Sequence, residues 1–148
     1  MRILLAIDGS PYSDAAVDEV AQRPWAPGSE ILVITAFEVA WSATPDVWAL
    51  PPQYYAECER VVQMHAHSVQ ETAIAKIRKA LGENVTVTGK TVAGSPKHVI
   101  VAEAEKWQPD LIMVGSHGYP TWERLLLGSV SQAVVTHAKC SVEVVRRH

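Results

Sequence analysis

The stretch RILLAIDGSPYSDAAVDEV, residues 2–20, holds a strand, a turn and the start of a helix. Residues 2–7 are a mostly apolar run of the length of a buried strand. The run ends at Asp8-Gly9-Ser10-Pro11, where every residue type favours a turn. The apolar residues after the turn recur at helical spacing, namely Val17, Val20 and Ala21. This spacing predicts a helix over about residues 13–22.

The alternation of strand and helix continues to the end of the chain. Further strands are predicted over residues 31–37, 84–92, 111–114 and 142–146. Further helices are predicted over residues 54–81, from Ser95-Pro96 to just before Pro109 with the Ser95 side chain as N-cap, and over 129–137. Residues 38–53 lack periodicity and predict a long loop. Parallel strands need helical crossovers. The order therefore predicts an α/β fold in which residues 1–148 form one domain, an open parallel sheet with helices on both faces.

Composition narrows the classes of partner. The 148 residues are 48% apolar and carry 13 basic and 16 acidic side chains, for a formal charge of -3. Without a basic run the chain lacks the electrostatic footprint of a protein that binds nucleic acid or an anionic membrane. Cys58 and Cys140 are not spaced as a ligand pair, and the N-terminus does not have the pattern of a signal peptide. We therefore expect a reduced, cytoplasmic protein.

Two loops carry the residues that fit a ligand site. The most continuous apolar strands, 3–7 and 111–114, are predicted at the centre of the sheet, where ligands bind beyond the carboxyl ends of strands at a reversal of strand order. One loop holds Asp8, which could accept a hydrogen bond from a ribose or adenine group or could only organise the turn. The other follows a Gly-x2-Gly-x9-Gly-Ser pattern from Gly115 to Ser129. Glycines let the backbone approach a ligand, and the first amides of a helix can hold phosphate oxygens. The hydroxyls of Ser129 and Ser131 could add further hydrogen-bond donors.

Three separated segments resemble the universal stress protein family along the whole chain. They are ILLAIDGSPYSDAAVDEV (3–20), VAGSPKHVIVAEAEKWQPDLIMVGSHG (92–118) and RLLLGSVSQAVVTHAKCSVEVVRR (124–147). The resemblance implies a Rossmann-like fold of the adenine-nucleotide-alpha-hydrolase type with strand order 3-2-1-4-5. It also implies a homodimer that forms through the last strand.

The resemblance extends to the ATP-binding branch of that family and implies its site residues. The ribose and phosphate positions fall on Gly115, Gly118, Gly128 and Ser129. The adenine positions fall on Asp8 and on the backbone at Ala36. Three further positions match residues that line the nucleotide, namely Met113, Ser116 and Val130. The implied ligand is ATP, with AMP or ADP as the alternatives, and Mg²⁺ would accompany the nucleotide.

One departure from the family concerns the residues after Gly118. Many relatives place a basic or small polar residue and a flexible Ser-Gly pair there, whereas this chain has Tyr119-Pro120-Thr121-Trp122-Glu123. The segment is stiffer and lacks that cation. Arg124 can balance phosphate charge but Glu123 opposes it, so the preference for ATP over AMP or ADP is open. No residue is identified as a base that activates water, so any hydrolysis is expected to be slow.

The leading interpretation is a regulatory stress-response module that binds the adenine nucleotide, and two other functions fit the same fold. The first is a protein-interaction module that binds no nucleotide and keeps the glycines for backbone geometry. The second is a nucleotide hydrolase or transferase, whose usual Ser-Gly-Gly-x-Asp-Ser loop is Asp-Gly-Ser-Pro-Tyr-Ser here. Other motifs favour structural roles: Gly89-Lys90-Thr91 lies inside a predicted strand, and His65 and His67 point to different helix faces. Trp41, Trp48, Tyr54 and Tyr55 could cover adenine or pack the long loop.

Overall fold

A computed structural model describes residues 1–39, 51–117 and 127–146. Its strands are β1 (Arg2–Ala6), β2 (Ser29–Phe37), β3 (Val85–Ala93), β4 (Leu111–Gly115) and β5 (Ser141–Val145). Its helices are α1 (Pro11–Gln22), α2 (Pro52–Leu81), α3 (Pro96–Trp107) and α4 (Ser129–His137), with a 3-10 turn at Gly82–Asn84. No helix within the described ranges is both long and apolar enough to cross a membrane.

The five strands form one parallel sheet of order β3-β2-β1-β4-β5. The predicted fold class, strand order and single domain are confirmed. The chain moves outward from β1 to β3 and then returns to place β4 on the other side of β1. In the register of the two central strands, Ala6 pairs with Val114. The carboxyl ends of β1 and β4 therefore lie side by side where the strand order reverses.

Two hydrophobic clusters cover the two faces of the sheet. One packs α1 and α2 against alternate strand residues such as Leu5, Val33 and Met113. The other packs α3 and α4 against the intervening residues, among them Ala6, Ile34 and Val114. The alternation follows from the pleat of a strand, which turns successive side chains to opposite faces. This arrangement confirms the prediction of helices on both faces.

Two helices begin earlier than predicted, and a third begins as predicted but without its predicted side-chain cap. The α1 helix begins at Pro11 rather than near residue 13, because Ser10 acts as the N-cap and its Oγ accepts from the Ser13 N–H at 3.2 Å. The α2 helix begins at Pro52, inside the predicted loop. The prediction that the Ser95 side chain caps α3 is wrong: the Ser95 backbone carbonyl accepts from the amides of His98 and Val99 instead. A proline occupies the first helical position of all three helices, as is common at helix N-termini.

The outward backbone groups of the two edge strands, β3 and β5, have different surroundings. On β3, the outward carbonyl of Val87 accepts a hydrogen bond of 2.6 Å from the Arg78 guanidinium on α2. On β5, the Val145 carbonyl turns inward and accepts from the Ser116 N–H, so neighbouring Val144 directs its backbone groups outward. Among the residues that the structure describes, no side chain is placed against the outer carbonyls of β5 as Arg78 is against β3. The β5 edge is therefore the more open of the two.

One buried hydroxyl, that of Thr35, is expected to lower the stability of the fold. Thr35 is 3% exposed and its Oγ1 has no hydrogen-bond partner. A buried hydroxyl without a partner is costly, so Thr35→Val is expected to raise the free energy of unfolding by about 1 kcal/mol. Urea unfolding measures the change. Thr91, its register neighbour on β3, donates to Gln70 Oε1 at 3.2 Å, so the matched control Thr91→Val should be destabilising. Equal effects of the two changes would contradict the prediction.

A buried carboxylate on α3 makes the stability depend on pH. Glu103 is 6% exposed, and Lys90 on β3 and Lys106 on α3 donate to its two oxygens at 2.6 and 2.9 Å. The hydrogen bonds from Lys90 and then Lys106 hold the pKa of Glu103 below its ordinary value. A carboxyl whose pKa is lower in the folded state stabilises the fold above the unfolded pKa, about 4.3, and loses that contribution as pH falls.

The corresponding prediction compares the chain with its Glu103→Gln variant. From about pH 6 to pH 3, the free energy of unfolding should fall more steeply with the native glutamate than with glutamine. Urea unfolding at a series of pH values gives both slopes. Other carboxyls titrate alike in the two proteins, so only the difference between the slopes reports on Glu103. Parallel curves would show that its folded and unfolded pKa values are the same.

Candidate functional site

The turn after β1 is built around Asp8. The Ile7 N–H donates to the Ile34 carbonyl and extends the pairing of β1 with β2 by one residue. The exposed Asp8 then accepts the Ser10 N–H on Oδ1 at 2.9 Å. Gly9 has a φ of 77°, a conformation that glycine adopts without strain. The aspartate therefore organises its own turn, as one reading of the sequence expected, and also presents a carboxylate at the carboxyl edge of the sheet.

Gly115 at the end of β4 lies against the first turn of α1. A Cβ on this residue would lie 2.7 Å from both the carbonyl carbon and the oxygen of Tyr12. The glycine therefore allows the backbone of α1 to approach the sheet, a packing role that the sequence pattern did not suggest. Met113, two residues earlier, is 0% exposed in the core under α1. Neither the Cβ direction of Gly115 nor the Met113 side chain faces open space.

Ser116 joins β4 to both β5 and α4 through its backbone. Its N–H donates to the Val145 carbonyl at 2.8 Å. Its carbonyl accepts from the Gly128 N–H at 2.7 Å and from Ser131 Oγ at 3.0 Å. The hydroxyl of Ser131, which is 2% exposed, also lies 2.9 Å from the Gly128 carbonyl. The Ser131 hydroxyl is thus used inside the protein, which disagrees with its expected role as a ligand donor.

The first turn of α4 opens at the same edge of the sheet. Gly128 is its N-cap and supplies no side-chain acceptor, and the first helical hydrogen bond runs from the Gln132 N–H to the Gly128 carbonyl at 2.9 Å. The amides of residues 129–131 precede that bond. Ser129 is exposed, while Val130 is half-buried against the α3 and α4 cluster. Such a turn presents N–H donors at the positive end of the helix dipole, the arrangement that binds phosphate.

Ala36 and His117 complete the described part of this edge. Ala36 is half-buried near the end of β2, two residues beyond Ile34, which pairs with Ala6. It shares a sheet face with Ala6 and Val114, the face that carries α4. The His117 ring lies 5.1 Å from that of Tyr12, and its Nδ1 lies 3.2 Å from Ser116 Oγ. Tyr12 gave no sequence signal, because its contacts depend on the close approach at Gly115.

Some of the predicted site residues fall outside the description. Gly118 lies outside the described residues, as do Tyr119 to Glu123, Arg124, Trp41 and Trp48. Of the two tyrosines that could cover adenine, Tyr54 is 51% exposed on α2 and meets the Tyr55 ring edge-on. His65 and His67 are both exposed. In the described part of the chain no three His, Cys, Asp or Glu side chains gather as a metal site would require.

Comparison with known proteins assigns the family. The model of the universal stress protein family matches residues 1–146. The chain belongs to the universal stress protein family. It is similar to Universal stress protein MJ0531 of Methanocaldococcus jannaschii, with 31% identity over 147 residues, 99% of this chain and 82% of the relative. The confirmed family membership covers the three segments on which the resemblance was based.

Solved structures support the fold. The chain is similar to hypothetical protein MJ0577 with a TM-score of 0.83 and 23% identity, over 99% of this chain and 96% of the other. Two more distant neighbours were solved with nucleotides. A universal stress protein in complex with cAMP gives a TM-score of 0.65 at 22% identity, over 99% and 96% of the two chains. An Arabidopsis thaliana family member with AMP bound gives 0.63 at 21% identity, over 100% and 92%.

Proposed function

We propose that this universal stress protein belongs to the ATP-binding branch and binds an adenine nucleotide at the carboxyl edge of its sheet. ATP is the proposed ligand, with AMP and ADP as alternatives. One observation carries the proposal: the uncapped first turn of α4 is bound to Ser116 at the end of β4, beside the Asp8 turn at the reversal of strand order. Open α/β sheets bind ligands at such a reversal.

The phosphate, ribose and adenine groups of the nucleotide are proposed to contact different parts of this edge. The amides at the start of α4, those of Ser129 and Val130, would hold phosphate oxygens together with Gly118. Gly128, whose own N–H donates to the Ser116 carbonyl, would leave room for the phosphate to approach. The backbone of Gly115 and Ser116 would lie beside the ribose. Asp8 and the Ala36 backbone would receive the adenine end, since both lie beyond the end of β1. Met113 is buried and would support the site from beneath rather than offer its side chain.

The two nucleotide complexes among the structural neighbours support an adenine nucleotide over other ligands. One neighbour holds cAMP and another holds AMP, and both share an adenine base, a ribose and a phosphate. A pair of loops that offers amide donors at one end and a carboxylate at the other fits those three groups. The same three groups would be bound by the present chain.

The proposed role is regulatory rather than catalytic. Asp8 is the carboxylate of the described edge that could contact a Mg²⁺ accompanying the nucleotide, and it already accepts the Ser10 N–H. We identify no residue of the described edge that would activate water, so hydrolysis of ATP should be slow. Occupancy would instead change what the loops and α4 present to other proteins. We also propose a cytoplasmic location, which the two unpaired cysteines, Cys58 and Cys140, would suit.

The first experiment measures nucleotide directly. Acid extraction of the purified protein should release ATP or another adenine nucleotide, and titration of the stripped protein should give a saturable change in tryptophan fluorescence. Phosphate release is followed in the same samples. No copurified nucleotide and no saturable response at millimolar ATP would favour the protein-interaction module instead. Multiple rapid turnovers would favour the hydrolase.

A homodimer through the open β5 edge is the second part of the proposal. Val144 directs its N–H outward, and its side chain packs on the α3 and α4 cluster. Val144→Pro should remove the outward donor while the ladder from β4 to β5 remains, because proline is tolerated where the N–H faces solvent. Sedimentation velocity is expected to show a smaller species for Val144→Pro than for the parent. An unchanged mass with an intact fold would exclude pairing at this edge.

A further inference from the structure

The amino-terminal half of α2 extends beyond the part of the helix that packs on the sheet. The buried residues of this 30-residue helix are Ala66, Gln70, Ala73, Ile74 and Ile77. None precedes Ala66, so residues 52–65 bury no side chain completely over about 20 Å of helix. Tyr55, Cys58 and Val62 are half-buried, whereas the opposite side of this segment is exposed.

Among the residues that the structure describes, three of the five large hydrophobic side chains that are exposed lie on this segment. They are Tyr54, Val61 and Met64, which are 51%, 54% and 57% exposed. At 3.6 residues per turn these side chains fall within about 80° of one another, on the side of the helix away from its buried residues. The spacing of seven and three residues is that of a helix which packs against another helix. We call Tyr54, Val61 and Met64 the α2 patch.

The charges beside the patch indicate the kind of partner. Glu57 lies among the patch residues and accepts from Arg60 Nη2 and Nε at 2.6 and 2.9 Å. Arg60 Nη1 lies 3.2 Å from Met64 Sδ, so the guanidinium borders the patch. Because one acidic and one basic side chain lie at this border, a strongly acidic or strongly basic partner would be repelled by one of them. A surface that places a base opposite Glu57 and an acid opposite Arg60 is electrostatically complementary to the patch.

We propose that the α2 patch binds the α2 patch of a second copy of this chain, with the two helices antiparallel. A two-fold axis near residue 59 would place Tyr54 of one copy beside Met64 of the other. It would also bring Arg60 of each copy to the height of Glu57 in the other, within about one residue, or 1.5 Å. The ion pairs can then form across the interface, so the glutamate within the apolar contact is not left unpaired. Such a contact is isologous, as two-fold dimers require.

This contact is separate from the β5 edge. The α2 helix packs over β2 and β3, on the side of the sheet away from β5. The Cys58 thiol lies between Tyr54 and Val61 in sequence, on the flank of the patch. In the antiparallel pair both Cys58 side chains lie on the same flank, within the reach of a short bismaleimide. In a β5 dimer the two α2 helices lie at the outer sides of the assembly.

Cross-linking at Cys58 tests the contact in the full chain. The parent is Cys140→Ala, which leaves one thiol, and the probe is a short bismaleimide. The parent is expected to give a covalent dimer whose yield falls at least about tenfold in Val61→Glu, since a charge is then buried without a partner. The matched control is Val135→Glu on α4, where a valine of 48% exposure lies away from the patch. Its yield should equal that of the parent.

A charge exchange separates the homotypic contact from a structural role of the same residues. Glu57→Arg and Arg60→Glu each give a patch with two like charges, and each variant alone should cross-link poorly. Their mixture should cross-link at a yield at least about tenfold higher, because each copy then supplies what the other lacks. Equal yields with and without mixing would overturn the proposal. Absence of a covalent dimer in the parent, or an equal loss in Val61→Glu and Val135→Glu, would overturn it as well.

Discussion

Gly115→Ala is expected to lower the free energy of unfolding by about 3 kcal/mol, the upper part of the usual range for overpacking. The added Cβ would lie 2.7 Å from the Tyr12 carbonyl carbon and oxygen and 2.9 Å from the Ser13 nitrogen. Real Cβ atoms do not approach backbone so closely. A flexible side chain could rotate away, but these atoms belong to the first turn of α1. The whole turn must therefore move from the sheet or the end of β4 must distort.

Urea unfolding of the variant measures this effect, and Gly28→Ala provides the control. Gly28 has a φ of 80° and open space where its Cβ would lie, so its replacement costs backbone strain without a clash, whereas Gly115 has no positive φ and its replacement costs the clash alone. The backbone strain should cost about 1 kcal/mol. If Gly115→Ala is no more destabilising than Gly28→Ala, then the close packing of α1 on β4 does not constrain the fold.

Ser129→Glu is expected to weaken binding of ATP about a hundredfold while the fold is kept. A carboxylate on the exposed first residue of α4 would lie where the proposed phosphate binds, and like charges about 4 Å apart near a protein surface repel by several kcal/mol. The same carboxylate favours the helix, because it interacts with the positive end of its dipole, by about 0.3–1 kcal/mol. Affinity and stability should therefore move in opposite directions. Loss of affinity with unchanged or higher stability cannot be attributed to unfolding.

Fluorescence titration with ATP and urea unfolding of the same preparations give the two quantities. The control is Ser129→Ala, which removes the hydroxyl but keeps the amides, and its affinity should fall by no more than about tenfold. Equal affinity of Ser129→Glu and Ser129→Ala would place the phosphate elsewhere. A nucleotide could then still bind the chain, but not at the first turn of α4.

The sequence was sufficient for the fold because each element has a local signal. The strands β1 and β4 are apolar runs because both of their faces are buried, and β3 alternates because only one of its faces is buried. In α3 the apolar residues recur at helical spacing because one stripe of the helix is buried. The starts of α1 and α2 lie two residues before the predicted ones. For α1 the start depends on the hydrogen bond from the Ser13 amide to Ser10, whereas α2 begins after Pro51 without a side-chain cap. The Ser95 cap was wrong for a related reason. A residue type favours a cap, but only the local backbone decides whether its side chain or its carbonyl accepts.

The candidate site was predicted less completely, since its glycines serve two purposes that look alike in sequence. Gly115 could offer bare backbone to a ligand or make room for a helix, and only the three-dimensional distance to Tyr12 identifies the second. Ser131 likewise has the type and position of a phosphate donor, yet its hydroxyl donates to the Ser116 carbonyl. Contacts between residues 15 or 100 apart in sequence leave no periodic pattern. They emerge only when the strands are assembled.

The hydrogen bonds at Ser116 connect the α4 helix to the outer strand through a single peptide segment. Its N–H is bonded to Val145 of β5 and its carbonyl to Gly128 and Ser131 of α4. A ligand that displaces the start of α4 would therefore strain the outer strand, and a second chain paired to that strand would resist the displacement. Such a connection would give ligand binding and dimerisation a coupling free energy, which is equal in both directions by thermodynamic linkage. Assembly of the protein and its affinity for ligand would then regulate each other.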